Sequence, residues 1–149
     1  MYTEEEASAL RREFWTRLGL YMQPVPGASG QKMNWINYKT GVKSIRFRMD
    51  AQRKEAFVAI EIRASEPHRK TIYQHFLSHR IEFPPSFEWI EDCWDEHGNE
   101  LSRIYTERVG LSVLNRNHWP ELIQFFKENL ILLDAFWFEK KDIFEMISP

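Results

Sequence analysis

Trp119, Leu122, Ile123, Phe126, Leu130, Leu133 and Trp137 fall at offsets 0, 3, 4, 7, 11, 14 and 18. This is the spacing of a helix with an apolar face. Asn117 is the expected N-cap, and Pro120 fits the first turn. The stretch NLILLDAFWF at 129–138 is apolar around most of its circumference, so this helix is expected to be buried on more than one side. Phe126 and Leu130 are its expected core residues, and the tail at 140–149 either continues it or forms a short extra helix. At the other end, Thr3-Glu4-Glu5-Glu6 reads as a capping box with an acidic first turn. Ala7, Leu10, Phe14 and Leu18 follow at helical spacing, which predicts a helix over 4–18 stopped by Gly19.

Between these helices the period changes to two. Ile45, Phe47 and Met49 alternate with Ser44, Arg46, Arg48 and Asp50. After a polar turn at 51–55, Val58, Ile60 and Ile62 face the core while Phe57, Ala59, Glu61 and Arg63 face out. Such patterning predicts antiparallel strands with one covered face. Met33–Lys39, rich in aromatic and branched residues and followed by Thr40-Gly41, reads as a strand preceding this pair. Ser65-Glu66-Pro67 opens a helix buried through Ile72, Tyr73, Phe76 and Leu77, which must end before Pro84-Pro85. Phe87–Trp94 and Leu101–Val109 flank Asp95–Asn99 and form a second hairpin.

The expected order is α-βββ-α-ββ-α: an α+β fold with an antiparallel sheet of about five strands and helices packed on it. No repeat or composition break divides residues 1–149, so one domain is expected. The single cysteine, Cys93, excludes a disulfide within the chain and fits a reducing compartment. The acidic start MYTEEEAS and the lack of an 18-residue apolar run predict neither signal peptide nor membrane span, hence a cytoplasmic protein with no membrane partner.

Charge changes the picture. The net of −2 conceals a +7 stretch at 32–80 and a −8 stretch at 81–149. Either the halves neutralise each other in the fold, or one offers a basic surface to a polyanion. The alternation places Lys43, Arg46, Arg48 and Arg63 on the outer sheet face, with Arg53 and Lys54 in the turn. Lys32, Lys39, Arg69, Lys70 and Arg80 extend the field, and Tyr38 and Phe57 supply stacking positions. The plainer alternative is a solvated sheet face, or a face that docks on the acidic half of another copy.

Catalytic signatures are weak. Asp50 followed by Glu61-Ile62-Arg63 has the outline of a metal-dependent nuclease motif, which would have lysine in place of Arg63. Arginine keeps its proton and is a poor base. Asp50 also lies beside the turn while Glu61 is about five residues up the partner strand, roughly 15 Å at ~3.3 Å per residue, too far to share an ion. A cross-strand pair such as Arg46 with Glu61 explains that carboxylate more simply. His68, His75 and His79 share a helix line, but the residues of a zinc protease are missing between His75 and His79. Cys93 sits among carboxylates in EDCWDE, which suits an inert thiol. Gly27-Ala28-Ser29-Gly30 lacks the Lys-Ser/Thr of a phosphate loop. No cofactor, metal site or catalytic residue is assigned.

Asn34-Trp35-Ile36, Val109-Gly110-Leu111 and above all His118-Trp119-Pro120-Glu121-Leu122-Ile123-Gln124-Phe125-Phe126 resemble a bacterial and archaeal family, domain of unknown function 4268, over roughly residues 12–138. That family has no assigned activity, so the resemblance carries no site over. Its members also occur fused to domains resembling nucleases, which implies a nucleic-acid context.

The expected function is a non-enzymatic interaction or accessory domain. It is expected to form a two-fold homodimer through Ile131, Phe136, Trp137 and Phe138. The rival reading is a metal-dependent nuclease-like enzyme with a degenerate Asp/Glu-x-Arg site.

Overall fold

The computed structural model describes residues 2–149. Thr3 caps α1 (Glu4–Met22): its hydroxyl accepts from the Glu6 amide, and the Glu6 carboxylate accepts from the Thr3 amide. The helix runs through Gly19 instead of stopping there. Gly19 lies within the helix at negative φ and packs beside Ile36 of the following loop. The extra turn buries Met22 beside Leu18 and Phe14.

Four strands follow, β1 (Ile45–Ala51), β2 (Glu55–Ile62), β3 (Glu88–Trp94) and β4 (Glu100–Val109), with α2 (Glu66–Ser78) between the two hairpins. All pair antiparallel in the order β1-β2-β4-β3, which puts β2 and β4 at the centre. A short 3-10 turn, Arg116–His118, leads into α3 (Trp119–Ile147). Asn117 is not the cap of α3: it lies within the 3-10 turn, which Asn115 caps by accepting from the Asn117 amide at 3.0 Å, and His118 stands at the start of α3 without a side-chain cap bond. The tail continues α3 to Ile147.

The sheet has four strands and not five. Residues 33–39 pack as an anchored loop. The Asn34 side chain accepts from the Asn37 amide at 3.1 Å and closes a turn. Trp35 Nε1 donates to the Val25 carbonyl at 2.9 Å, and Tyr38 Oη donates to Asp134 on α3. Each aromatic is fastened by its polar tip to another element, so the segment needs no ladder partner. The only bridge in this region among the described residues joins Pro26 to Lys32.

The inner sheet face meets α2 and α3, and α1 packs on α3. Phe126 and Leu130 are buried as expected, with Ile60, Ile62, Ile104 and Phe76. Phe76, Phe83, Phe136 and Phe144 form a continuous aromatic cluster, Phe76 and Phe144 having ring centres 4.2 Å apart. This corrects the expected dimer surface. Phe136 and Trp137 are 6% and 3% exposed and belong to the chain's own core, Trp137 Nε1 donating to the Thr40 carbonyl at 2.8 Å. Of the four, only Ile131 and Phe138 face solvent. No described helix is long and apolar enough to cross a membrane.

Candidate anion-binding groove

The outer sheet face carries no helix, and its chemistry follows from strand register. Arg46, Glu61 and Arg103 stand side by side across β1, β2 and β4. One rung pair further lie Arg48, Ala59 and Tyr105, then Asp50, Phe57 and Glu107. Phe57, Ala59 and Glu61 face away from the helices as the alternation requires, yet all three are buried. Arginine side chains lie over them. Arg48 and Arg103 place their guanidinium carbons 5.3 and 4.5 Å from the Phe57 ring centre, and Arg103 lies 4.4 Å from that of Tyr105. Long stems cover apolar surface while their charged heads stay near water.

Glu61 is the centre of this arrangement. Its side chain is 3% exposed and accepts from Arg48 Nη1 at 3.4 Å and Arg63 Nη2 at 3.3 Å. Arg46, its neighbour across the strands, is not its ionic partner. Arg63 donates its other nitrogen to Asp95 at 2.7 Å. That bond, with the amides of Asn99 and His97, holds the Asp95 carboxyl well below the usual range. Among the described residues, Arg46 and Arg103 make no ion pair, and Arg103 Nε is enclosed without a hydrogen-bond partner.

These residues line a groove of about 670 Å³ whose rim includes Trp94, Glu96 and His97. Trp94 is 63% exposed. Of the basic residues read from the sequence, Arg46, Arg48 and Arg63 come together here. Lys43 lies outside the groove before β1; Arg53 and Lys54 lie in the β1–β2 turn beside Ser112 and Asn115. Arg69 does not extend the field. It is 1% exposed on α2, donates to the Glu91 carbonyl at 2.6 Å and to Ser102 Oγ at 2.9 Å, and pairs with Asp92 and Glu100. Lys70 likewise faces Glu66, Glu91 and Asp92. Sequence reasoning missed Arg103. The alternation of Leu101, Arg103, Tyr105 and Glu107 signals a shared face, but which strand lies beside it is set only by the tertiary fold.

Asp50 stands opposite Phe57, four rungs from the position opposite Glu61, about 13 Å along the strand at ~3.3 Å per residue. Asp50 Oδ1 instead accepts from the Ala51 amide at 2.8 Å. The two carboxylates do not share a coordination shell. The rings of His75 and His79 are 5.1 Å apart and crossed at 84°; His75 packs on Phe144, and His79 Nδ1 lies 2.8 Å from Glu82. Burial, then the neighbouring His79, pushes the His75 pKa down. Burial pushes the Cys93 thiol up, and its Sγ donates to the Leu101 carbonyl at 3.4 Å. No group of three or more His, Cys, Asp or Glu able to hold a metal exists among the described residues.

No curated protein and no solved structure matches the chain. A family model does, over residues 10–141, a span that holds all four strands and most of the three helices. The chain therefore belongs to the family described as Domain of unknown function (DUF4268).

Proposed function

We propose that this chain is a non-enzymatic interaction domain that binds polyanions, nucleic acid among them, in the groove on its open sheet face. One observation carries this reading: Arg46 and Arg103 bring to the groove two guanidinium groups that form no ion pair among the described residues, while Glu61 and Asp95 take up the charges of Arg48 and Arg63. A guanidinium already packed against aromatic rings, as that of Arg103 is, loses little side-chain freedom when it meets a phosphate oxygen. Catalysis is disfavoured by the separation of Asp50 from Glu61 and by arginine at position 63.

The test is a titration of labelled polyphosphate and nucleic acid against the whole chain at low and moderate salt. Binding that weakens with salt and is largely lost in Arg46→Ala/Arg103→Ala supports the reading. Binding indifferent to both substitutions, or magnesium-dependent cleavage that vanishes in Glu61→Ala, refutes it.

Self-association as a two-fold homodimer belongs to the same proposal, with the contact reduced to the exposed Ile131 and Phe138 of α3. Light scattering at micromolar concentration distinguishes dimer from monomer. A dimer that survives high salt and is broken by Phe138→Glu supports an apolar contact.

A further inference from the structure

We propose that the free edge of β1 takes an acidic partner peptide as a fifth, antiparallel strand. The edge adjoins the groove and shares Arg46 and Arg48 with it, but its selectivity lies in backbone hydrogen bonds and not in phosphate contacts.

The opening in the ladder follows from its hydrogen bonds. The Ser44 carbonyl accepts from the Arg63 amide, and the Gln52 amide donates to the Glu55 carbonyl, both at 2.8 Å. Between them the even-numbered residues bond to β2, and the odd-numbered ones turn their N–H and C=O outward. The chain satisfies both ends of this outer row itself. The Ile45 amide donates to the Val42 carbonyl, and the Ile45 carbonyl accepts from the Thr40 hydroxyl. The Ala51 amide donates to the Asp50 carboxylate. Phe47 and Met49, in the middle, have no such partner among the described residues. Each offers one donor and one acceptor, the half of a bonded pair that an antiparallel neighbour completes.

β1 is also the less guarded of the two edges. The ladder of β3 is irregular between Ile90 and Cys93, and such breaks blunt an edge. β1 pairs without a break and contains no proline. The loop at 35–38, expected as a strand, stands on the helix side of this edge, where Tyr38 stacks on Phe47 with ring centres 5.1 Å apart. Loop and strand leave a slot of about 120 Å³ that reaches down to Val58 and Leu130. Its apolar floor suits a small aliphatic side chain on the inner face of an added strand.

Charge selects the occupant. Side chains of an added strand alternate between the two faces as those of β1 do. On the outer face they meet Arg46 and Arg48. Arg48 is engaged by Glu61, whereas Arg46 is exposed and makes no ion pair among the described residues. Lys39 and Lys43, just before the strand, are likewise exposed and unpaired among these residues. Acidic side chains therefore suit the outer face and aliphatic ones the slot, and Asp50 ends the favourable stretch. Two copies joined through β1 would set arginine against arginine across the new ladder, which like-charge repulsion opposes. Nucleic acid has no row of amides to offer Phe47 and Met49.

The experiment is fluorescence anisotropy with the whole chain and a labelled peptide of about seven residues alternating Glu and Val, a length that spans the edge. In the antiparallel register the Val amides face β1 and the Glu amides face water. N-methylation of the two central Val residues is expected to weaken binding at least about tenfold, and N-methylation of two Glu residues less than about twofold. Lys in place of Glu in the peptide, or Arg46→Glu in the chain, is expected to weaken binding about tenfold, and combining the two restores it. Arg46 is exposed, so its replacement should keep the thermal midpoint, which is measured alongside. Polyphosphate, which has no amides, is titrated in parallel to keep the groove reading separate. Equal effects of the two methylations, the reverse order, or no binding of the unmodified peptide overturns the strand-addition proposal, while binding of polyphosphate leaves the groove reading standing. Peptide binding seen only as a dimer dissociates would assign the edge to a second copy, and overturns it as well.

Discussion

Tyr38 Oη donates to Asp134 Oδ1 at 2.6 Å, joining the loop before β1 to the middle of α3. The other carboxylate oxygen accepts from the Ala28 amide at 2.7 Å. Burial, and then the hydrogen bond to Asp134, raises the Tyr38 pKa, so the phenol keeps its proton and remains a donor. One buried carboxylate thus fastens two points of a loop that has no ladder of its own.

Replacing Asp134 with Ala leaves the Tyr38 hydroxyl and the Ala28 amide without an acceptor. The expected loss is about 1–3 kcal/mol, set mainly by the half-buried Tyr38 hydroxyl, because Ala28 is exposed and its amide can turn to water. Tyr38→Phe should cost less, about 1–2 kcal/mol, because Asp134 keeps its backbone partner. Urea denaturation of both single variants and the double variant checks this. The effects should not add, because the two residues share one bond.

Arg69 is the second anchor, fixing α2 to the β3–β4 hairpin where the ladder is irregular between Ile90 and Cys93. Asp92 and Glu100 are partly exposed and can regain water, and Ser102 Oγ still donates to the Glu91 carbonyl at 2.6 Å, so the cost of losing Arg69 comes chiefly from the space its buried side chain fills and the tie it makes between α2 and the hairpin. Arg69→Ala is expected to cost roughly 3 kcal/mol. Arg69→Lys should recover less than half of this, because an ammonium cannot reach all the acceptors that the planar fork meets. Chemical denaturation of the two variants measures the difference. Full rescue by lysine would show that charge alone matters.

These two anchors mark where the sequence stops being readable. The period of α3, the alternation of β1 and β2 and the β3–β4 hairpin are local patterns, and each forms as its pattern requires. Trp35 and Tyr38 have the composition of a strand, but their polar tips find partners on distant elements. That choice is made by tertiary packing, ten residues away for Val25 and 96 for Asp134. The groove is half legible for the same reason. Alternation alone puts Arg46, Arg48 and Arg63 on one face. Arg103 joins them only because β2 pairs with β4, a contact between two separate hairpins. Phe136 and Trp137 show the converse. A helix apolar all round suggests a partner, and here the chain's own α2 and loops provide most of the cover.

Stability should fall with acid through Glu13. Hydrogen bonds from Arg116, with Arg17 assisting, lower its carboxyl from an ordinary 4.5 to about 2. A depressed folded pKa means that its contribution is fully present above about pH 5 and is lost as pH falls towards 2. The pair is exposed, so the contribution is salt-sensitive. Thermal midpoints measured from pH 6 to pH 2 should fall more steeply in the wild type than in Glu13→Gln, and less so at high salt. Parallel curves would show that Glu13 does not tie α1 to the turn before α3.

Glu61 separates the binding reading from the catalytic one. Its carboxylate occupies Arg48 and Arg63 in the way a phosphate would. Glu61→Gln keeps the shape and one acceptor while removing the charge, so the Arg48 guanidinium can turn to a ligand while Arg63 stays with Asp95. Affinity for a polyanion at low salt is therefore expected to rise severalfold, with a steeper salt slope by about 0.7 for the arginine released to a single strand. The same change in a metal-dependent enzyme would abolish cleavage without improving binding. Anisotropy titrations of wild type and Glu61→Gln at three salt concentrations make the distinction. Weaker binding with an unchanged slope would mean that Glu61 orients the arginines for their ligand and does not compete with it.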